Sequence, residues 1–281
     1  MSSNTRILPA GIVAGALLAA TPALAVEINT IDPAFTAPMS WYQFDTRPGG
    51  SATIVDLTAQ GGNLENNQPL PTGAARLETD ATNAAKAEIA VSDAYGIVSD
   101  ILSSFELSYS YYKASGGAPA PAPSIKLTFF NEPYNDVDGQ DGFGTLVYEP
   151  YLNGANPPED TWTDVAIDYD EGLFWWTGGF GQPSGGGGCP CLTLEDWDNT
   201  LDSGFDTADL VAVSVGLGSF NPAQIGFFDN VRIAYGNGDY DVTYDFEADA
   251  PEPTTLALLG AGLAGLGLMR RRRAAAGTAR S

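Results

Sequence analysis

The 281-residue chain has no histidine and only two cysteines, Cys189 and Cys191. Without an imidazole, Ser-His and Cys-His nucleophile pairs cannot form, and the usual general base for proton transfer is missing. A Cys/His zinc site is excluded as well, and two thiols alone are too few for a structural zinc. Two cysteines one residue apart also exclude a framework of several disulfides. A bridge between them would close a tight ring around Pro190, so the pair reads as a loop staple or as two free thiols. Positive charge is equally scarce. Between residues 26 and 250 there are six bases (Arg47, Arg76, Lys86, Lys113, Lys126, Arg232) against 34 acids, a formal charge of −28. Such a field disfavours nucleic acid and anionic lipid as partners. It also costs folding free energy by self-repulsion, which divalent cations or high ionic strength would relieve.

What is present begins with a targeting pattern. Arg6 is followed by an apolar run from Ile7 to Leu24, no acid occurs before Glu27, and the run ends in Ala23-Leu24-Ala25. A basic start, an apolar centre and a small-x-small ending describe a secretory signal peptide over residues 1–25, with Ala23 and Ala25 at the cleavage signal. Pro9 and Pro22 bracket the run and argue against a core helix.

From residue 26 to residue 249 the signal is period two. Phe105, Leu107, Tyr109 and Tyr111 alternate with Glu106, Ser108, Ser110 and Tyr112. Ile125, Leu127 and Phe129 alternate around Lys126 and Thr128, and Val211, Val213, Val215 and Leu217 repeat the pattern. Further strands are expected near 41–46, 52–58, 74–78, 86–91, 144–150, 162–168, 172–177, 224–234 and 240–246. Gly/Pro/Asn/Asp-rich turns separate them, and one short helix is expected over 194–201 with Thr193 as its N-cap. Many short strands without a βαβ unit predict an all-β fold, an antiparallel two-sheet sandwich of jelly-roll or concanavalin-like type.

After Asp249 the composition changes. Pro251-Glu252-Pro253 precedes an uncharged run from Leu256 to Met269, which is followed by Arg270, Arg271, Arg272 and Arg273. A helix over that run would be about 21–24 Å long, short of the ~30 Å hydrocarbon layer, and arginine snorkelling would supply the difference. The basic cluster puts residues 274–281 on the cytoplasmic side as a short tail. This tripartite segment, residues 250–273, resembles the PEP-CTERM sorting signal of Gram-negative bacteria. The resemblance implies an inner-membrane exosortase as partner, processing near Pro251-Glu252-Pro253 and delivery to the surface or extracellular matrix, often alongside exopolysaccharide. The eight residues after Arg273 depart from the family pattern, which usually stops soon after its arginines. The segments Ser104–Tyr109, Leu146–Pro150, Trp162 and Gly226–Ile233 also look like the jelly-roll, lectin-like ectodomain of some PEP-CTERM proteins.

Three chemistries compete for the ectodomain. Paired carboxylates can hydrolyse a glycoside when held roughly 5–9.5 Å apart. Glu106, Glu149, Asp164, Asp168, Asp170 and Glu171 are available, but they read as solvated surface acids and no catalytic residue is assigned. Calcium is the one cofactor considered: Asp136, Asp138 and Asp141 lie in an Asp/Gly-rich loop, although their spacing differs from an EF-hand loop. Glycan binding is the third, with Trp175, Trp176 and Tyr151 as stacking residues and Tyr148, Trp162 and Trp197 as further aromatics. Phe174, Trp175 and Trp176 are consecutive, so a strand there turns Trp175 away from its neighbours. The sequence therefore predicts an exported, exosortase-sorted, non-enzymatic surface protein with a structural or adhesive role linked to exopolysaccharide. The alternative is a carbohydrate-binding module, with or without a stabilising calcium, and the third reading is a glycan-active enzyme.

Overall fold

The computed structural model describes residues 24–135, 141–180, 190–201 and 203–248. The apolar centre of the signal peptide, the Pro-Glu-Pro segment, the expected sorting helix and its arginines lie outside them. Among the described residues no helix is long and apolar enough to cross a membrane.

Thirteen strands are described, in two sheets. The first sheet holds β1 (Leu24–Ile28), β3 (Gly50–Asp56), β4 (Gly73–Thr79), β6 (Glu106–Lys113), β9 (Trp162–Ile167), β12 (Ile225–Tyr235) and β13 (Tyr240–Phe246). The second holds β2 (Trp41–Gln43), β5 (Lys86–Ile97), β7 (Ser124–Asn135), β8 (Asp141–Tyr148), β10 (Phe174–Trp176) and β11 (Asp209–Gly218), in the order β10-β8-β7-β11-β5-β2. The fold is the antiparallel sandwich of jelly-roll type that the period-two pattern predicts. One pair differs, because β1 runs parallel to β13, with Leu24 opposite Val242 and Ile28 opposite Phe246. The sequence reading missed β1 because it begins inside the apolar run assigned to the signal peptide.

Alternation explains the core. Val213, Val215 and Leu217 of β11 and Ile125, Leu127 and Phe129 of β7 turn inward and are buried. Across the sandwich, Trp41 packs its indole against Phe228, Tyr244 and Phe246, with ring centroids 4.9–5.9 Å apart. Such fully buried aromatics dominate the packing energy of a sandwich. The short helix α1 (Leu194–Thr200) forms as predicted: the Thr193 hydroxyl accepts from the Asp196 amide at 3.1 Å and satisfies one of the free N–H groups of the first turn. Leu194 and Trp197 are the buried residues of that helix, and the Trp197 indole donates to the Phe174 carbonyl at 2.9 Å, tying the helix to β10.

Candidate functional site: a groove on the outer face of the second sheet

The outward residues of the second sheet fall into transverse rows fixed by register. Trp175 of β10 is opposite Val147 of β8, Val147 is opposite Lys126 of β7, Lys126 is opposite Ser214 of β11, and Ser214 is opposite Ala90 of β5. A second row runs Thr145, Thr128, Ala212 and Ser92. Trp175, Val147 and Lys126 of the first row and Thr145 and Thr128 of the second line a groove of ≈ 630 Å³. Tyr151, Glu149 and Trp175 wall one side, and Phe44 and Phe220 contribute at the other.

A buried ion cluster occupies the floor. Glu88 is 2 % exposed and accepts hydrogen bonds from Ser214 Oγ at 2.7 Å, from Lys86 Nζ at 2.6 Å and from Lys126 Nζ. Lys86 also reaches Asp45 Oδ2 at 2.6 Å, and Arg47 Nη2 lies 2.8 Å from the same oxygen. Burial pushes the Glu88 carboxyl up, but the charges of Lys126 and Lys86 outweigh that and hold it below the ordinary glutamate range. At Lys126 burial wins, and its ammonium sits below the ordinary lysine range despite Glu88. Asp45 is raised by burial and lowered further by hydrogen bonds from Arg47 and Lys86, ending at about 2. Gly216, on the central strand, makes room for this cluster. A methyl group there would stand 3.0 Å from Glu88 Oε2 and 3.1 Å from Lys126 Nζ.

The aromatic wall is held by a carboxylate. Trp175 Nε1 donates to Glu149 Oε2 at 3.3 Å. Burial and a hydrogen bond with Glu149 push the Tyr151 hydroxyl up to about 12, so it stays protonated at any physiological pH. Glu149 thus holds both rings and itself lines the groove.

The predicted glycan-stacking residues are therefore divided. The structure brings Trp175 and Tyr151 together at the groove. Trp176 goes to the core at 1 % exposure, its ring 5.6 Å from Phe180 and 6.0 Å from Phe205, where no ligand reaches it. Tyr148 and Trp197 are buried as well. Trp162 packs on Tyr112 and donates to the Leu64 carbonyl at 3.1 Å. Phe44 (46 % exposed) and Phe220 (79 % exposed) were not anticipated. Phe44 lies one residue beyond β2, and Phe220 follows β11 in a turn at φ 64, so neither sits in the alternating part of a strand.

Of the calcium candidates, Asp136 and Asp138 lie outside the described residues and Asp141 opens β8. Among the described residues no three His, Cys, Asp or Glu side chains converge in a way that could hold a metal ion. Cys191 is in a disulfide, and the only other cysteine in the sequence is Cys189.

Residues 249–273 match the model of the PEP-CTERM protein-sorting motif. The chain ends in a PEP-CTERM sorting signal. That motif implies export, transient anchoring in the membrane and processing by exosortase, and its bounds enclose Pro251, Glu252, Pro253 and Arg270 to Arg273. No curated protein matches the chain. Among solved structures, the family 11 carbohydrate-binding module from Clostridium thermocellum in complex with a β-1,3-1,4-mixed-linked tetrasaccharide is similar at 15 % identity and a TM-score of 0.39, covering 71 % of this chain and 91 % of that one. A putative sugar binding protein from Bacteroides thetaiotaomicron is similar at 11 % identity and a TM-score of 0.39, covering 76 % of this chain and 95 % of that one.

Proposed function

We propose that this PEP-CTERM protein is an exported glycan-binding protein of the cell surface or extracellular matrix, and that its groove on the second sheet is the binding site. The carrying observation is the pairing of an outward indole, Trp175, with a floor of hydroxyls and charges. A sugar ring has an apolar C–H face and a rim of hydroxyls. The indole meets the face by stacking, and Glu149, Thr128, Thr145 and Ser124 along the groove meet the rim with hydrogen bonds. The lack of histidine closes only the imidazole-based routes; the reading taken is affinity without turnover, an adhesive or structural role toward exopolysaccharide. In the same reading residues 1–25 are removed on export. Cleavage after Ala25 leaves Val26–Ile28 of β1 to pair with β13, with Ile28 buried.

Affinity electrophoresis in gels containing neutral and acidic polysaccharides tests this. The expected result is retardation by at least one polymer, lost in Trp175→Ala while the thermal melt is unchanged. Absence of retardation by every polymer removes glycan binding and leaves a purely structural role. For the sorting signal, replacing Pro251-Glu252-Pro253 by alanines is expected to abolish the shorter extracellular product in an exosortase-bearing host. A full-length product held in the inner membrane with and without the replacement makes the segment a plain anchor.

A further inference from the structure

The charges that line the groove do not cancel. Lys86 and Lys126 stand against Asp45, Glu88 and Glu149, two positive charges against three negative ones. Both ammonium groups are already engaged: Lys86 bonds Asp45 and Glu88 at 2.6 Å each, and Lys126 bonds Glu88. The carboxylate of Glu149, by contrast, is bonded among the described residues only by neutral donors, the Trp175 indole at 3.3 Å and the Tyr151 hydroxyl. Its negative charge therefore stands uncompensated at the aromatic wall, beside the place where a sugar on Trp175 would lie. A carboxylate accepts strongly from the hydroxyls of an uncharged sugar. Toward a uronate or a sulfate at the same place it is a like charge, and the formal −28 of residues 26–250 repels an acidic polymer before it arrives. The hydroxyls of Ser124, Thr128, Thr145 and Thr177 complete a lining that suits uncharged sugars.

Register sets the length of chain that the groove takes. Trp175 is on β10, at one edge of the second sheet, and β2 is at the other. The Phe44 amide donates to the Glu88 carbonyl at 3.0 Å and extends the pairing of β2 with β5 by one residue, so the Phe44 ring shares the outer face with the Glu88 carboxylate. Trp175 and Phe44 both line the groove, and Phe220 adds a third ring. Five strand spacings of about 4.8 Å separate the two edges, about 24 Å, which at roughly 5 Å per sugar is a run of about five sugars. An aromatic at each end gives the C–H faces of the outer sugars a stacking surface, with the hydroxyl-lined floor between them.

We propose that the groove selects an uncharged linear glycan, a run of which lies across the strands from Trp175 to Phe44, and rejects acidic polymers through Glu149. This rests on the glycan-binding reading given above. The test runs the native protein in affinity gels with hydroxyethylcellulose, galactomannan and β-1,3-glucan as neutral probes and alginate as the acidic one. The best-retained neutral polymer is then compared with the same polymer after oxidation of its primary hydroxyls to carboxylates. The expected result is at least tenfold weaker retention after oxidation at low salt, recovering in part as salt screens the repulsion. Glu149→Gln is expected to narrow that difference severalfold, whereas Glu106→Gln, the same charge change on the exposed face of the first sheet, leaves it in place. Equal narrowing by the two variants assigns the rejection to overall charge and overturns selection by the groove. Equal or stronger retention of the oxidised polymer, or retention of alginate alone, also overturns the selection while glycan binding stands. Retention of no polymer, neutral or acidic, overturns both. Affinity for oligomers cut from the retained polymer should rise up to about five sugars and then level off. Levelling off at about two sugars would confine binding to the Trp175 end and overturn the placement across the sheet.

Discussion

Two buried carboxylates, one in each sheet, meet opposite fates. Glu88, on the outer face of the second sheet, has two ammonium groups and a hydroxyl around it and stays ionised. Asp229, on β12 of the first sheet, is fully buried, and among the described residues no Lys or Arg is part of its surroundings. It accepts from the Phe246 amide at 2.9 Å and from the Asn230 amide, while its Oδ2 is buried without a hydrogen-bond partner among the described residues. Burial pushes its pKa up to about 7, against the pull of those two amides, and the charges of Asp245 and Glu247 add to the rise. Asp245 is itself raised by burial and by Glu247 and Glu27, to about 6. The lesson is that burial alone does not set a carboxylate's charge. Where the scarce bases are spent, the acid is ionised; where none is near, it takes up a proton close to neutrality.

The sharpest break of this contrast is Glu88→Ala. It leaves Lys86 and Lys126 facing each other in the groove floor, and losing one partner of a buried pair costs about 3–5 kcal/mol. Urea denaturation should show a loss of that size, and a loss below about 1 kcal/mol would mean that the lysines are solvated. The next effect is pH dependence at Asp229. Its folded pKa is raised above the ordinary aspartate value of 3.8, so its contribution to stability is fully present below pH 3.8 and is lost as the pH rises through about 7. A shift of this kind is worth a few kcal/mol, roughly 1.4 kcal/mol for each pKa unit. The protein should therefore melt higher at pH 5 than at pH 8, and Asp229→Asn should flatten that slope. An unchanged slope in the variant would assign it to other acids.

Smaller effects sharpen the groove side. Gly216→Ala pushes a methyl into the ion cluster, and overpacking of this kind costs about 1–3 kcal/mol. A crystal structure of the variant should show Lys126 displaced from Glu88. Asp45 gives the smallest effect, because its carboxylate is 38 % exposed. Asp45→Asn should cost less than about 1 kcal/mol at neutral pH. Its lowered pKa makes its contribution present above pH 3.8 and lost as the pH falls toward about 2, the reverse of Asp229.

The sandwich was legible because alternation is a local signal. Ile125, Leu127 and Phe129 announce β7, and Thr193 with Asp196 announces α1, without any knowledge of neighbours. The outward turn of Trp175 was legible for the same reason, since three consecutive aromatics on a strand cannot share a face. The ion cluster was not. Glu88 and Lys126 are 38 residues apart, and only the pairing of β5 and β7 on either side of β11 brings them together. Read alone, each looks like a solvent-facing polar residue on a half-buried strand. Tyr151 was recovered through its residue type, whereas Phe44 falls inside the expected strand 41–46 but beyond the end of β2 at Gln43, and Phe220 lies past the end of β11, where period two carries no information. The identity of Asp229 as a buried acid depends on the irregular register of β12 between Asp229 and Arg232, with Asn230 at φ 55, which no residue pattern announces.

The groove as a glycan site is tested most directly by following the five tryptophan indole N–H resonances by NMR while the retained polysaccharide, cut to short oligomers, is titrated in. The account predicts that the Trp175 resonance, whose N–H is bonded to Glu149, moves saturably while those of Trp41 and Trp176 in the core stay in place. Saturable shifts elsewhere with Trp175 unmoved would contradict it.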